Sequence, residues 1–401
     1  MTPPQSPLNK GEFIALMGMT SATIAFSIDA MLPSLPEIGK ALTPDAINRA
    51  QLVLTSFVLG MGIGTFFTGP LSDAFGRRRV LLGGFVLYMI GAILGMLAGS
   101  LELLLAARVI QGLGAAGPRV VAMAVIRDRF SGRQMAQVMS FVMMVFTLVP
   151  AFAPSMGAGI IYLVGWRGLF GAFVLFAIIN SLWFGLRQPE TLAPENRREF
   201  HPAKLWEGVK EVLSNHTVRT TIMVQTMVFG SLFGMLSSTQ QVFDITFGQG
   251  TNFPLWFGGI ALIAGTASVV NATFVVRIGM RRIIRVTLTV QILLAGSFAL
   301  LVWSGWMPAA LYFPAFLFWM TSVFFMAGMT IGNLNAIAME PMGHMAGMAA
   351  SVTSALFTVF AVLIAVPIGL AFDGTPLPLA VGVFGCTSIA LLLMQLIRRE
   401  P

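Results

Sequence analysis

The chain has 401 residues, 56% of them hydrophobic and only 10% charged, with a mean hydropathy of +0.85. A soluble domain carries roughly 25% charged residues, so this composition excludes a water-coated globule and fits an integral membrane protein. The net charge of +8 would suit a nucleic-acid partner, but the positions of the basic residues assign them to membrane topology instead. The single cysteine, Cys386, excludes an intrachain disulfide framework or a paired-cysteine metal site.

A helical span takes about 20 mostly apolar residues. That length picks out twelve predicted spans, at 13–35, 50–71, 80–99, 101–124, 136–164, 167–187, 218–243, 255–276, 283–304, 308–334, 346–370 and 377–397. MTPPQSPLNKGEF has one lysine and no small-residue cleavage site after it, so it reads as the uncleaved start of span 1. A polar break over 188–219 divides the set into six and six. The predicted organisation is a first half at 1–187, a cytoplasmic linker at 188–216 and a second half at 217–401. Within the linker, Trp206, Val209, Val212 and Leu213 among Lys204, Glu207 and Lys210 predict a short amphipathic surface helix. With the N-terminus cytoplasmic, 19 of the 24 Lys and Arg fall on cytoplasmic ends and loops. Shifting the span count by one would scramble that positive-inside bias, which places both termini in the cytoplasm.

Taken in chain order, the spans carry few polar groups. Asp29 in span 1 has no charged neighbour nearer than Glu37, and it continues a small, polar stripe with Ser21, Ala22 and Ala25. Charges within spans face the bundle interior or a watery cavity, so Asp29 is the candidate proton carrier. The alternative is a permanently ionised Asp29 that pairs structurally with an arginine. In span 4, Arg108, Gln111, Ala115 and Arg119 recur at spacings of 3, 4 and 4 and share one helix face. At about 1.5 Å per residue, Arg108 lies roughly 10 Å from the periplasmic end, within about a turn of Asp29 in depth. Span 5 carries Pro150, Pro154 and Gly157, two helix-bending residues and one that permits close helix approach. The second half has no acid deep in a span; its polar span residues are neutral, among them Gln225, Gln240, Gln241, Asn333 and Asn335. Proton chemistry is therefore expected in the first half and neutral substrate contacts in the second. The 33 Phe and 26 Met suit a pliable apolar pocket. All three histidines fall in loops, without metal-ligand spacing or a phosphate-binding glycine loop, so neither an enzyme nor a cofactor is expected.

An internal repeat links the halves. DAFGRRRVLL (73–82) follows span 2 and VRIGMRRIIR (276–285) follows span 8; setting Gly76 on Gly279 aligns Arg78 with Arg281 and Arg79 with Arg282. Parallel duplication of this kind is a construction used by secondary transporters.

These segments resemble a known family. GPLSDAFGRRRVLL (69–82) is similar to the major facilitator superfamily pattern G-x-L-[AS]-D-x-x-G-R-[KR]-x-x-[IL]. RVIQGLGAA (108–116) and PAFAPSMGAG (150–159) resemble the helix 4 and helix 5 motifs of its drug:proton antiporters. IDAMLPSLP (28–36) and AMEPMGHMAGMAAS (338–351) resemble segments of the bicyclomycin/chloramphenicol-resistance (Bcr/CflA) exporters. The five matches run in order across nearly the whole chain.

The resemblance implies an all-α membrane fold of 12 transmembrane helices in two pseudo-symmetric six-helix halves. It also implies a proton-coupled multidrug efflux antiporter of a bacterial inner membrane, exporting small, largely hydrophobic compounds by alternating access. Its partners are then substrate, protons and the lipid bilayer, with no nucleic acid, and the chain is expected to be monomeric. Helices 1 and 4 line the cavity in that family, so Arg108 is expected to respond to protonation of Asp29. Gly69, Asp73, Gly76, Arg77 and Arg78 form the gate loop. There the glycines permit the turn, Asp73 meets a helix N-terminus or an arginine, and the arginines anchor to the anionic leaflet. The helix 5 motif implies a seal against helix 8, with Gly157-Ala158-Gly159 standing where the pattern has paired glycines. Three roles fit Arg119: it replaces an arginine that related exporters carry later in the helix, reads an anionic part of the substrate, or snorkels to the cytoplasm. A metabolite exporter or importer, or an uncoupled facilitator, is the alternative on the same scaffold.

Overall fold

A computed structural model describes residues 8–197 and 200–397. Among them there is no β-strand. In chain order the helices are α1 (Lys10–Asp29), α2 (Leu35–Leu42), α3 (Leu52–Phe75), α4 (Arg77–Leu97), α5 (Leu101–Arg129), α6 (Gly132–Arg187) and α7 (Pro202–Ser214). They continue with α8 (His216–Gln241), α9 (Phe253–Ile278), α10 (Met280–Ser304), α11 (Ala309–Met339), α12 (Ala346–Leu370) and α13 (Leu377–Leu396). Ten helical segments among the described residues are long and apolar enough to cross a membrane.

Two of those ten are of double length. The 56 residues of α6 would extend about 84 Å as one rod, against roughly 30 Å of hydrocarbon. The helix is broken at Gly165, whose φ of 70° lies in the left-handed region. The 62-residue segment Ala309–Leu370 is likewise broken, by the 3-10 turn Glu340–Met345 between α11 and α12. Each therefore supplies two passes, which restores the twelve predicted spans. Span 1 differs from expectation in one respect. Its regular helix stops at Asp29, and a 3-10 turn at Leu32–Ser34 intervenes before α2, where Pro33 and Pro36 interrupt the hydrogen-bond ladder.

The chain forms two compact units. The first takes residues up to Ser34 together with Ser56–Leu205; the second takes Leu35–Thr55 and the chain from Trp206 onward. In the first, α4 packs on α5 and α6, and α1 on α5 and α6. The α3–α5 seam is close because of small residues: a Cβ placed on Gly60 would lie 2.1 Å from the Val109 carbonyl, and one on Gly112 would lie 2.0 Å from that of Phe57. In the second unit, α8 packs on α12 and α13, α10 on α11 and α13, and α11 on α8 and α9.

The internal repeat is visible in the backbone. Gly76 caps α4 with φ 96° and ψ 152°, and Gly279 caps α10 with φ 85° and ψ 146°. Each repeat thus spends its glycine on the same left-handed turn, which a side chain at that position would strain. The amphipathic α7 turns Leu205, Val209 and Val212 inward. Trp206 is exposed, with the Lys210 ammonium 5.8 Å from its ring centroid.

Candidate functional site

The first unit encloses a polar cluster built from four helices. Asp29, the last residue of α1, is 5% exposed. Two residues earlier, the Ser27 hydroxyl shares a 2.6 Å hydrogen bond with the Tyr88 hydroxyl of α4. Arg108 of α5 is fully buried and reaches the same turn of α1, donating from Nη2 to the Ser27 carbonyl at 3.1 Å. Its Nη1 donates to Gln111 Oε1 at 2.7 Å, one turn along the shared face, and its central carbon lies over the Phe57 ring of α3, 4.4 Å from the centroid. A guanidinium so held has its orientation set by a carbonyl, an amide and a ring, all beside the last turn of α1. Burial of this kind is tolerated because the planar cation offers donors in fixed directions to satisfied partners. Nearer the Lys10 end, Thr20 and Thr23 of α1 bond Asn180 of α6 at 3.0 and 3.4 Å.

Arg119 stands apart on α5. It is partly buried, and its Nη1 lies 3.7 Å from the Met61 thioether.

The loop after α3 is a dense ionic knot. Arg77 donates to Asp73 at 2.5 Å, to Ser72 Oγ at 2.7 Å and to Asp128 at 3.1 Å. Only 11% of its side chain is exposed, which corrects the expectation that the arginines of this loop anchor to the leaflet: Arg77 is committed to two acids. Arg78 donates to the Gly185 carbonyl. Glu190, from the polar break after α6, accepts from the backbone N–H groups of Arg77 and Arg78 at 2.9 and 3.1 Å, and so caps α4. Ser72 also donates to the Gly69 carbonyl. The corresponding turn in the second unit pairs Arg281 with Glu340 at 2.7 Å.

In α6, Pro150 and Pro154 lie in the half before the Gly165 break. A Cβ on Gly157 would lie 2.1 Å from the Ala30 carbonyl, so this glycine seats α6 against the residue that follows Asp29. Gly159 has no neighbour within 4 Å and takes no part.

Four neutral amides of the second unit, Gln225, Asn335, Asn333 and Gln241, are paired. Gln225 Nε2 donates to Asn335 Oδ1 at 2.6 Å, linking α8 to α11. Two residues before Asn335, Asn333 faces the other way and donates to Asn271 of α9 at 2.7 Å. Gln241 bonds Gln51 and Asn48, and Ser238 donates to Gln51 at 3.3 Å, so residues 48–51 are tied to α8 by an amide ladder. Gln240 is buried, and its Oε1 meets no donor among the described residues.

Not marked out by the sequence are Ser27 and Phe57, which hold the span 4 arginine, Tyr88, which bonds Ser27, and Glu190, Asp128 and Gln51. Tyr88 carried a weak signal as one of three tyrosines, placed mid-span where its hydroxyl needs a partner. Glu190 sits in an irregular stretch with no periodic signal.

The Major Facilitator Superfamily family model matches residues 15–366. A bicyclomycin resistance protein homologue of Haemophilus influenzae is 30% identical over 397 residues, spanning 95% of this chain and 94% of its own. An uncharacterised transporter of the same superfamily type from Bacillus subtilis is 29% identical over 349 residues, spanning 85% and 84%. The solved structure of a D-xylose–proton symporter aligns with a TM-score of 0.75 at 15% identity, covering 95% of this chain and 97% of its own; that likeness concerns the fold alone.

Proposed function

The chain belongs to the major facilitator superfamily, and on that premise we propose that it is a proton-coupled exporter of small, largely hydrophobic compounds, working by alternating access. The carrying observation is Asp29, the one acid deep in a membrane-spanning helix among the described residues, enclosed at the end of α1 beside the turn that Arg108 holds. A charge buried there is costly and points to a proton or ion pathway. The name of the Haemophilus influenzae relative supports drug export as the direction.

In the proposed cycle a periplasmic proton binds Asp29 and favours release of substrate outside. Deprotonation to the cytoplasm then favours loading from within. Arg108 reads the state of Asp29 through the α1 turn that it grips, while the amides of the second half meet neutral parts of the substrate. The Asp73–Arg77–Asp128 knot holds the gate loop. A potential of 100 mV supplies about 2.3 kcal/mol per charge, which corresponds to a gradient of roughly 50-fold per proton.

We place the protein in a bacterial inner membrane as a monomer with both termini cytoplasmic, its halves at 1–187 and 217–401 joined by the linker 188–216. Substrate uptake into inverted vesicles, with and without a pH gradient, tests the reading. Gradient-dependent uptake supports it, and uptake that ignores the gradient contradicts it.

A further inference from the structure

Three side chains that carry a full charge in their ordinary ionised form lie deep within apolar helices among the described residues: the carboxylate of Asp29 and the guanidinium groups of Arg108 and Arg119. One acid stands against two guanidinium groups in the count, so this interior carries an excess positive charge even when Asp29 is ionised. Arg108 has a carbonyl, an amide and a ring about it. Arg119 does not. Among the described residues the acceptor its guanidinium meets is the Met61 thioether, a weak one set against five N–H donors.

The direction of the Arg119 side chain is informative. Gly60 abuts Val109, and Gly64 abuts Leu113 and Ala116, so α3 and α5 run side by side in the same sense. Met61 is therefore level with about residue 112, roughly 10 Å from Arg119 towards the Leu101 end of α5. The Arg119 guanidinium nonetheless comes to within 3.7 Å of Met61 Sδ. It reaches back towards the middle of the helix, along the direction helical side chains favour. A snorkelling arginine would extend the other way, to the Arg129 end.

We propose that Arg119 is the anchor for an anionic oxygen pair, such as a carboxylate, on the exported compound. This rests on the transporter reading above and narrows it to amphiphilic weak acids with an apolar body and one anionic head. The fork of the guanidinium matches a carboxylate with two parallel hydrogen bonds, and the partly exposed side chain keeps donors open to a solute. The anion also offsets the excess charge of the helix interior.

Binding is measured on the full-length chain in detergent at equilibrium, where no gradient acts and a failure of proton coupling leaves the readout intact. The probes are matched aromatic carboxylate and carboxamide pairs of one to three rings, such as 2-naphthoate and 2-naphthamide. The unmodified chain is expected to prefer the carboxylate, and Arg119→Gln to lower the carboxylate-over-carboxamide ratio by about tenfold or more. Arg119→Lys, which keeps the charge but loses the fork, falls between and serves if the Gln variant does not fold. A chain that binds none of the carboxylates, or a ratio unchanged in both variants, overturns the proposal.

Discussion

The guanidinium of Arg108 donates to the main-chain carbonyl of Ser27 at 3.1 Å, two residues before Asp29. The bond joins α5 directly to the last turn of α1, so displacement of either is felt by the other. Because the acceptor is a backbone atom, no substitution at Ser27 removes it.

Arg108→Lys keeps the charge but loses the fork that donates to Ser27 and Gln111 while its central carbon sits over Phe57. We predict at least a tenfold loss of gradient-driven transport, roughly the 1.4 kcal/mol of one good contact, with the helical content of the purified protein unchanged. Initial rates in inverted vesicles measure it.

Gly157→Ala places a methyl where the Ala30 carbonyl stands and forces α6 away from the end of α1. Overpacking of this kind costs about 1–3 kcal/mol. Gly159→Ala, with open space around it, is expected to leave stability unchanged. Thermal unfolding of the two variants followed by circular dichroism separates them.

Glu190→Gln removes the charge that caps α4 through the N–H groups of Arg77 and Arg78. A loss of about 1 kcal/mol is predicted from capping and the helix dipole together. The effect shrinks at high salt if the dipole dominates, and unfolding scans at two ionic strengths report it.

The Gln225–Asn335 bond joins α8 to α11 at 2.6 Å. Hydrogen bonds between membrane helices average about 0.6 kcal/mol. Gln225→Leu and Asn335→Leu should each destabilise by about that amount, and the double variant by less than their sum. A double-mutant cycle on unfolding free energies measures the coupling.

The fold was legible because each span is a long apolar run and the basic residues mark its ends. The repeat was legible because a left-handed turn demands glycine at both Gly76 and Gly279. Asp29 and Arg108 stood out as charges in apolar context. Their surroundings did not, since Ser27 and Phe57 meet Arg108, and Tyr88 meets Ser27, only through tertiary packing of α1, α3 and α4. The break of span 1 at Asp29 was foreshadowed by Pro33 and Pro36. Arg77 was readable as basic, but its burial between Asp73 and Asp128 depends on the end of α5 coming alongside. Arg119 left three readings in the sequence, and its reach towards Met61 argues against the snorkelling one.

In the proposed cycle Asp29 carries the exchanged proton, and the pH change on adding substrate to proteoliposomes holding the full-length chain reads that step. The unmodified protein should move protons against substrate, while Asp29→Asn, folded and still able to bind substrate, should move none. Substrate-driven proton movement by Asp29→Asn at the unmodified rate would mean that another group carries the proton.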